Sequence, residues 1–107
     1  MTDKRIVLTT TGSKEEAQKI ASSLVERHLA ACVNVVGPIS STYRWQGKVD
    51  AAEEFLLIIK TTADAYQSLA AAIRQLHSYE LPEILQVEIT DGLPEYLAWI
   101  AESLKIK

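Results

Sequence analysis

One segment of the chain reads Ile39-Ser-Ser-Thr-Tyr-Arg-Trp45, then Gln46-Gly47, and shortly afterwards the apolar run Phe55-Leu-Leu-Ile-Ile59. Alternate residues of a strand point to the same face, so Tyr43 and Trp45 would share one side of the first arm. The glycine between the arms accepts the positive φ angle that a two-residue turn requires. The segment therefore predicts a long β-hairpin.

The predicted length of this hairpin has a physical consequence. An arm of about 13 residues spans ~40 Å at ~3.3 Å per residue, whereas a domain of this size is roughly 34 Å across. The ribbon would extend past its own domain while carrying two aromatic side chains, and such a ribbon needs a cover. The alternative is that Asp50-Ala-Ala-Glu53, a poor strand sequence, bulges and shortens the second arm. We favour the long hairpin.

The composition is that of an ordinary soluble globular protein. The chain has 107 residues, of which 48% are hydrophobic and 23% are charged, and its formal net charge is −3. We expect a single domain over residues 1–107 and, because there is no basic stripe, no nucleic-acid partner. Cys32 is the only cysteine, which excludes a disulfide framework and a paired-thiol zinc motif. No apolar run of signal-peptide or membrane-spanning type is present, so we expect a cytoplasmic protein with no membrane partner.

The first half of the chain predicts a strand, a helix and an edge strand. Residues 5–10 are typical of a short strand, and Ser13 followed by Glu16 fits a capping box, in which each side chain caps the other's backbone amide. Apolar residues then recur at three- and four-residue spacing, which predicts an amphipathic helix. The next strand contains Gly37-Pro38, and because proline donates no hydrogen bond we place this strand at the sheet edge.

The second half completes the fold. Residues 55–59 are apolar on both faces, so we expect this strand at the centre of the sheet, with helices on one face and a separate cover on the other. Residues 61–64 begin a second helix that ends near His77, residues 83–90 alternate as a fourth strand, and Pro94 fits the first turn of a last helix. Right-handed crossovers turn this order into an α+β fold, the ferredoxin-like βαββαβ sandwich. To it are added a C-terminal helix and a long hairpin between the second and third strands.

Polar groups concentrate in the segment His77-Ser-Tyr-Glu-Leu-Pro-Glu-Ile84, which holds an imidazole, a phenol and two carboxylates. The segment is either a functional loop or only a connection whose turn is set by Pro82. Lys60 ends the apolar strand and Glu53-Glu54 precedes it, which fits either a functional pair or a solvated edge. Cys32 has no second cysteine or neighbouring histidine, so we expect it to be a small buried apolar residue.

Four separated blocks occur along nearly the whole chain: Leu29-Ala-Ala-Cys-Val-Asn34; Ser41-Thr-Tyr-Arg-Trp-Gln-Gly-Lys48 with Glu54 and Lys60-Thr61; His77-Ser-Tyr-Glu-Leu-Pro-Glu-Ile84; and Tyr96-Leu-Ala-Trp99. Together and in this order they resemble the CutA divalent-cation tolerance proteins. The resemblance implies a homotrimer in which the long hairpins pair between neighbouring subunits. It also implies a cleft at the subunit boundary, shaped like those of the trimeric PII signalling proteins.

The resemblance also implies site residues. It places six of them in the cleft: Trp45, Glu54, Lys60, His77, Tyr79 and Glu80. Lys60 would hold an anion or neutralise Glu54, and His77 with Glu80 and Glu83 would ligate Cu²⁺ or another divalent cation.

Three positions depart from the family pattern. Ser78 replaces a proline, which implies a less rigid backbone at that point. Thr10 and Leu76 stand where some members carry a cysteine and a second histidine as proposed copper ligands.

Three functions are compatible with the resemblance. The first is a divalent-cation tolerance or response protein that binds copper or another divalent ion and has no obligatory cofactor. The second is a PII-like regulatory trimer that senses a small anionic ligand in the cleft, with Lys60 as the counter-charge. The third is a scaffold that anchors another protein. No Ser/His/Asp or Cys/His arrangement is legible, so we do not expect an enzyme.

Overall fold

The fold is seen in a computed structural model, which describes residues 2–106. Its helices and strands follow one another in the order β1 (Lys4–Thr11), α1 (Lys14–Glu26), β2 (Cys32–Trp45), β3 (Lys48–Thr62), α2 (Tyr66–Leu76), β4 (Leu85–Glu88) and α3 (Pro94–Ser103). The strands form one antiparallel sheet in the order β2-β3-β1-β4. The predicted ferredoxin-like α+β fold with an additional C-terminal helix is confirmed.

The hairpin between β2 and β3 is long. Residues 39–45 pair without interruption with residues 48–54. Gln46 and Gly47 form the turn with φ angles of 49° and 80°, and positive angles at both positions match the twist of a hairpin. The alternative bulge at residues 50–53 is wrong, because these residues all pair with β2. The longest dimension of the described structure is accordingly 44 Å.

The interior of the sheet follows the sequence pattern. A register shift separates Val36 from Ile39, at the Gly37-Pro38 pair, and β2 lies at the sheet edge as the proline predicted. A Cβ atom on Gly37 would lie 2.6 Å from Cδ2 of Phe55, so glycine allows this ring to approach the strand. The apolar strand β3 lies between β2 and β1, as its two apolar faces predicted.

The two faces of the sheet are covered differently. One face packs against α1 and α2 around a buried cluster that includes Val7, Ile20, Leu24, Leu57, Ile59, Leu69 and Ile73. Helix α3 contacts β1 and β3, and its Ile100 is fully buried outside that cluster. The register places the exposed side chains of Val36, Leu85 and Val87 on the face away from the cluster. This second face therefore keeps an uncovered apolar surface.

Two predicted boundaries are wrong. Thr61 and Thr62 belong to β3 instead of beginning the second helix, because they continue the pairing of β3 with β1, and α2 begins at Tyr66. The fourth strand is limited to Leu85–Glu88, since only these residues pair with β1. Pro94 does lie in the first turn of α3. Among residues 2–106, no helix is both long and apolar enough to cross a membrane.

One buried hydroxyl leads to a stability prediction. Thr9 and Thr61 are both fully buried, but Thr61 Oγ1 donates to the carbonyl of Leu29 at 2.7 Å, whereas Thr9 Oγ1 has no partner among residues 2–106. Because an unsatisfied buried hydroxyl is destabilising, we expect Thr9→Val to raise the free energy of unfolding by about 1 kcal/mol. Thr61→Val is the matched control and should lower it by about 1–2 kcal/mol. Urea denaturation measures both, and a loss of stability in Thr9→Val would contradict the assignment.

Candidate functional site

A cavity of about 570 Å³ lies between the hairpin and the loop formed by residues 77–84. Its volume falls in the range typical of small-molecule sites, roughly 300–1,000 Å³. The residues with chemical function that line it are Tyr43, Trp45 and Glu54 from the hairpin and Tyr79, Glu80 and Glu83 from the loop. The cavity therefore combines three aromatic rings with three carboxylates.

The hairpin presents its aromatic residues by strand alternation. Tyr43 and Trp45 are two positions apart on β2, share a face as predicted, and are 40% and 43% exposed. Glu54 comes from β3, opposite Ile39 of β2, and is only 8% exposed. The hairpin thus supplies exposed rings and a buried carboxylate to the same cavity.

The carboxylate of Glu54 is held by a phenol. Tyr79 Oη donates a hydrogen bond to Glu54 Oε2 at 2.8 Å. Burial of Tyr79, together with the hydrogen bond from its hydroxyl to Glu54, raises the pKa of Tyr79 well above its ordinary value. The phenol therefore stays protonated and remains the donor. Within residues 2–106 no lysine or arginine lines the cavity or forms an ion pair with Glu54, so its negative charge is not compensated.

Lys60 lies outside the cavity. It is six residues from Glu54 along β3, or ~20 Å in an extended strand, so it does not neutralise that carboxylate. Its Nζ donates instead to Asn34 Oδ1 and lies 4.0 Å from the sulfur of Cys32. Cys32 is only partly buried, contrary to prediction, because it is the first residue of the edge strand β2.

His77 positions the loop behind the cavity. Its ring is fully buried, with Nε2 2.6 Å from the carbonyl oxygen of Thr10 and Nδ1 3.0 Å from the backbone nitrogen of Tyr79. These partners assign a neutral imidazole in which Nε2–H donates and Nδ1 accepts. The ring also contacts the ring of Tyr79, with centroids 4.7 Å apart. Nε2 thus ties His77 to Thr10, Nδ1 binds the backbone of Tyr79, and the imidazole ring packs against the ring of Tyr79.

The predicted metal ligands are not assembled in this structure. Glu80 and Glu83 line the cavity, but the nitrogens of His77 are engaged with Thr10 and Tyr79. Across the described part of the chain, no group of three or more His, Cys, Asp or Glu side chains is placed to hold a metal ion. Imidazole ligation of copper at His77 would require one of these two hydrogen bonds to break.

Ser78 ties the loop to α1. Its backbone N–H donates to Glu16 Oε2 at 2.7 Å, and its hydroxyl donates to Glu16 Oε1 at 3.0 Å. A proline, which the family pattern has at this position, offers neither donor. We expected a less rigid backbone without the proline ring, but the two hydrogen bonds of Ser78 hold this backbone in its place. The Glu16 carboxylate therefore binds Ser78 instead of the backbone N–H of Ser13, which is the partner that the predicted capping box gives it. The other half is confirmed, since Ser13 Oγ accepts from the backbone nitrogen of Glu16 at 3.1 Å.

Four of the six predicted cleft residues line the cavity, together with residues that the sequence did not predict. Trp45, Glu54, Tyr79 and Glu80 line the cavity, whereas Lys60 and His77 do not. The sequence interpretation missed Tyr43, Thr10, Ser41, Thr42 and Leu81 as lining residues. The two-residue spacing from Trp45 was a signal that could have found Tyr43. Thr10 had no such signal, because its place beside the loop depends on a contact between distant parts of the chain.

Fold and cavity define a class of protein: a small ferredoxin-like subunit with a long hairpin and an acidic cleft beside it. The chain belongs to the family described as CutA1 divalent ion tolerance protein, whose family model matches residues 5–103. Relatives include the divalent-cation tolerance protein CutA of Thermus thermophilus, 46% identical over 94% of this chain and 97% of that protein. A second, from Archaeoglobus fulgidus, is 43% identical over 90% of this chain and 93% of its own length.

Solved structures agree with this assignment. The crystal structure of CutA from Xylella fastidiosa has a TM-score of 0.95 and 38% identity, and the match covers 97% of this chain and all of that one. Two similar proteins are named as chloroplastic, one from Arabidopsis thaliana and one from Oryza sativa, and the match covers 55% and 56% of their lengths. One similar structure, from Archaeoglobus fulgidus, is described as periplasmic. The cytoplasmic location of the present chain stays a prediction.

The bond between Tyr79 and Glu54 yields a pH-dependent prediction. Tyr79→Phe leaves a buried carboxylate without its donor, so we expect the free energy of unfolding to fall by about 1–3 kcal/mol at pH 7. Because folding raises the pKa of Tyr79 above its ordinary value of 10.0, this contribution is complete below pH 10 and is lost as the pH rises further. The difference between wild type and variant should therefore narrow above pH 10.

Urea denaturation from pH 7 to pH 11 measures this difference. Tyr66→Phe is the matched control, because Tyr66 lies at the start of α2 and does not line the cavity. Equal losses in the two variants at every pH would contradict the role given to Tyr79.

Proposed function

We propose that this chain acts in divalent-cation tolerance as a homotrimeric, cation-responsive protein whose acidic cavity receives the cation. The observation that carries the proposal is the carboxylate of Glu54, which is 92% buried and has no cationic partner among residues 2–106. Glu80 and Glu83 add two exposed carboxylates to the same cavity. A cavity lined by one sign of charge raises the local concentration of the opposite ion.

The donor types bear on which divalent ion fits. Carboxylate and hydroxyl oxygens suit hard ions such as Mg²⁺, Ca²⁺ and Mn²⁺, whereas copper is better served by imidazole or thiolate. Glu80 and Glu83 supply the first kind of ligand, and the imidazole of His77 is already engaged. Weak binding of a hard, partly hydrated ion is therefore better supported than a copper site at His77.

The homotrimer is proposed from surfaces that a single subunit leaves uncovered. The hairpin carries exposed Tyr43 and Trp45, and the sheet face away from α1 and α2 exposes Val36, Leu85 and Val87. Exposed apolar surface of this kind marks an interaction site. Pairing of the β2–β3 hairpins between three copies, as the family resemblance implies, would cover both.

The competing functions have less support. A small anionic ligand would meet three carboxylates in the cavity, and Lys60, its expected counter-charge, lies outside. No specific observation favours a protein-anchoring scaffold. The names of the relatives describe tolerance of divalent cations and not a reaction, and we propose no catalytic activity.

Native mass spectrometry with Mn²⁺ as the probe tests the proposal. We expect a trimer that takes up about one Mn²⁺ per subunit at millimolar concentration. The double variant Glu80→Gln/Glu83→Gln should lose this uptake, because it removes the accessible carboxylates of the cavity. The double variant Glu15→Gln/Glu26→Gln changes the net charge equally at exposed positions of α1 and should bind as wild type does.

Each part of the proposal can fail separately in this experiment. A monomeric wild-type protein would contradict the assembly. Equal loss of Mn²⁺ in both double variants, or no uptake by any of them, would contradict the cavity as the cation site.

A further inference from the structure

We propose that Glu16 of α1 is a positioning residue that holds the 77–84 loop in place and takes over the role of the proline that the family pattern has at position 78. This rests on the proposed function in that the loop carries Glu80 and Glu83, the two accessible carboxylates proposed for the cation. The contacts that hold the loop lie between it and residues 10–16 of the same subunit, so they do not depend on what covers the hairpin.

The backbone of the loop is held by side chains. Among residues 2–106, positions 78–83 form no hydrogen bond between two backbone groups. The N–H of Ser78 donates instead to Glu16 Oε2 at 2.7 Å. The N–H of Tyr79 donates to His77 Nδ1 at 3.0 Å. Because an ordered segment needs partners for its backbone groups, these side chains decide where the loop lies.

Glu16 accepts both of the hydrogen bonds that Ser78 can donate. Oε2 accepts from the backbone N–H, and Oε1 accepts from the hydroxyl at 3.0 Å. The side chain of Glu16 is only 17% exposed, and its own backbone N–H is fixed by Ser13 Oγ at the start of α1. A contact through two bonds to one carboxylate fixes the orientation of the partner as well as its distance. The loop is thereby tied to a rigid helix end.

The residues on either side of Ser78 rest on the same part of the chain. His77 Nε2 donates to the carbonyl of Thr10 at 2.6 Å. A Cβ atom on Gly12 would lie 3.2 Å from Tyr79 Oη, so the glycine lets the phenol approach this segment closely. Three consecutive residues of the loop are therefore seated together, and loosening one of them should loosen the others.

The exposure of Ser78 separates a positioning role from general support of the fold. Ser78 is exposed, so water can replace Glu16 as the partner of its N–H and hydroxyl. Removal of the carboxylate therefore leaves no buried donor without an acceptor, which is the costly case. We expect the loss of Glu16 to free the loop while the core unfolds at nearly the same urea concentration.

The backbone before Ser78 already has the conformation that a proline requires. His77 is extended, with φ −80° and ψ 140°, and the residue before a proline favours this region. A proline at position 78 would fix its own φ angle without a hydrogen bond. Ser78→Pro should therefore hold the loop whether or not residue 16 can accept a hydrogen bond.

Native-state hydrogen exchange of the full-length chain, followed by two-dimensional NMR at neutral pH, tests the inference. The amide of Tyr79 is the reporter, because its acceptor is His77 and not Glu16. We expect Glu16→Ala to lower its protection by about tenfold through local opening of the loop. Glu16→Gln should keep most of the protection, because a glutamine can accept from the Ser78 N–H and donate to its hydroxyl. Glu15→Ala, at an exposed neighbouring position of α1, is the matched control and should change nothing.

Ser78→Pro provides a second comparison. In this background Glu16→Ala should change the protection of the Tyr79 amide by less than about twofold, because the two positions are coupled. An equal loss in both backgrounds, or no loss in either, would overturn the inference. A loss matched by an equal fall in the free energy of unfolding would also overturn it, because Glu16 would then support the whole fold. If Ser78→Pro proves to be unfolded by circular dichroism, equal losses in Glu16→Gln and Glu16→Ala would overturn it instead.

A parallel Mn²⁺ titration separates this inference from the proposed function. A loosened loop places Glu80 and Glu83 less well, so Glu16→Ala should bind Mn²⁺ several-fold more weakly than Glu15→Ala, which removes the same charge. Equal Mn²⁺ affinity in these two variants would overturn Glu16 as a positioning residue of the cation site. If the wild type takes up no Mn²⁺, the proposed cation site is wrong, and the exchange of the Tyr79 amide, measured without metal, decides the role of Glu16.

Discussion

The pairing of β3 along both of its edges is the constraint on which the rest of the structure depends. On one side β3 pairs with β1, and on the other it pairs with β2 as far as the turn at Gln46 and Gly47. Its inner part is apolar on both faces: one face packs into the buried cluster with α1 and α2, and the strand also contacts α3. Its outer part carries the hairpin beyond the helices and holds Glu54 beside the 77–84 loop. The same strand thus builds the core and one wall of the cavity.

The charge of the cavity follows from how the loop is anchored. His77 uses both ring nitrogens, on Thr10 and on the backbone of Tyr79, and Ser78 binds Glu16 of α1. These bonds place the phenol so that its hydroxyl meets the buried carboxylate of Glu54. A neutral donor stabilises the negative charge without cancelling it. A lysine at the same place would have formed an ion pair and left the cavity without attraction for a cation.

Local patterns in the sequence predicted most of the fold but not the character of the site. The alternation of residues along the strand predicted the hairpin and the shared face of Tyr43 and Trp45, and Pro38 predicted the edge position of β2. The predicted boundaries at Thr61 and at β4 were wrong because the ends of these strands are decided by their pairing with β1 and not by the propensities of their residues. The role of His77 could not be predicted either. Its partner, the Thr10 carbonyl, is 67 residues away, and a sequence does not show which group an imidazole meets.

The charge state of Glu54 is the centre of this account, and infrared spectroscopy measures it directly. In the difference spectrum between wild type and Glu54→Gln at neutral pH, we expect the variant to lose the stretching bands of an ionised carboxylate. This result would show that the carboxylate buried beside Tyr79 carries the negative charge that the proposed cation site requires. Loss of the carbonyl band of a protonated acid would contradict the account, because a neutral group at this position has no charge with which to hold a cation.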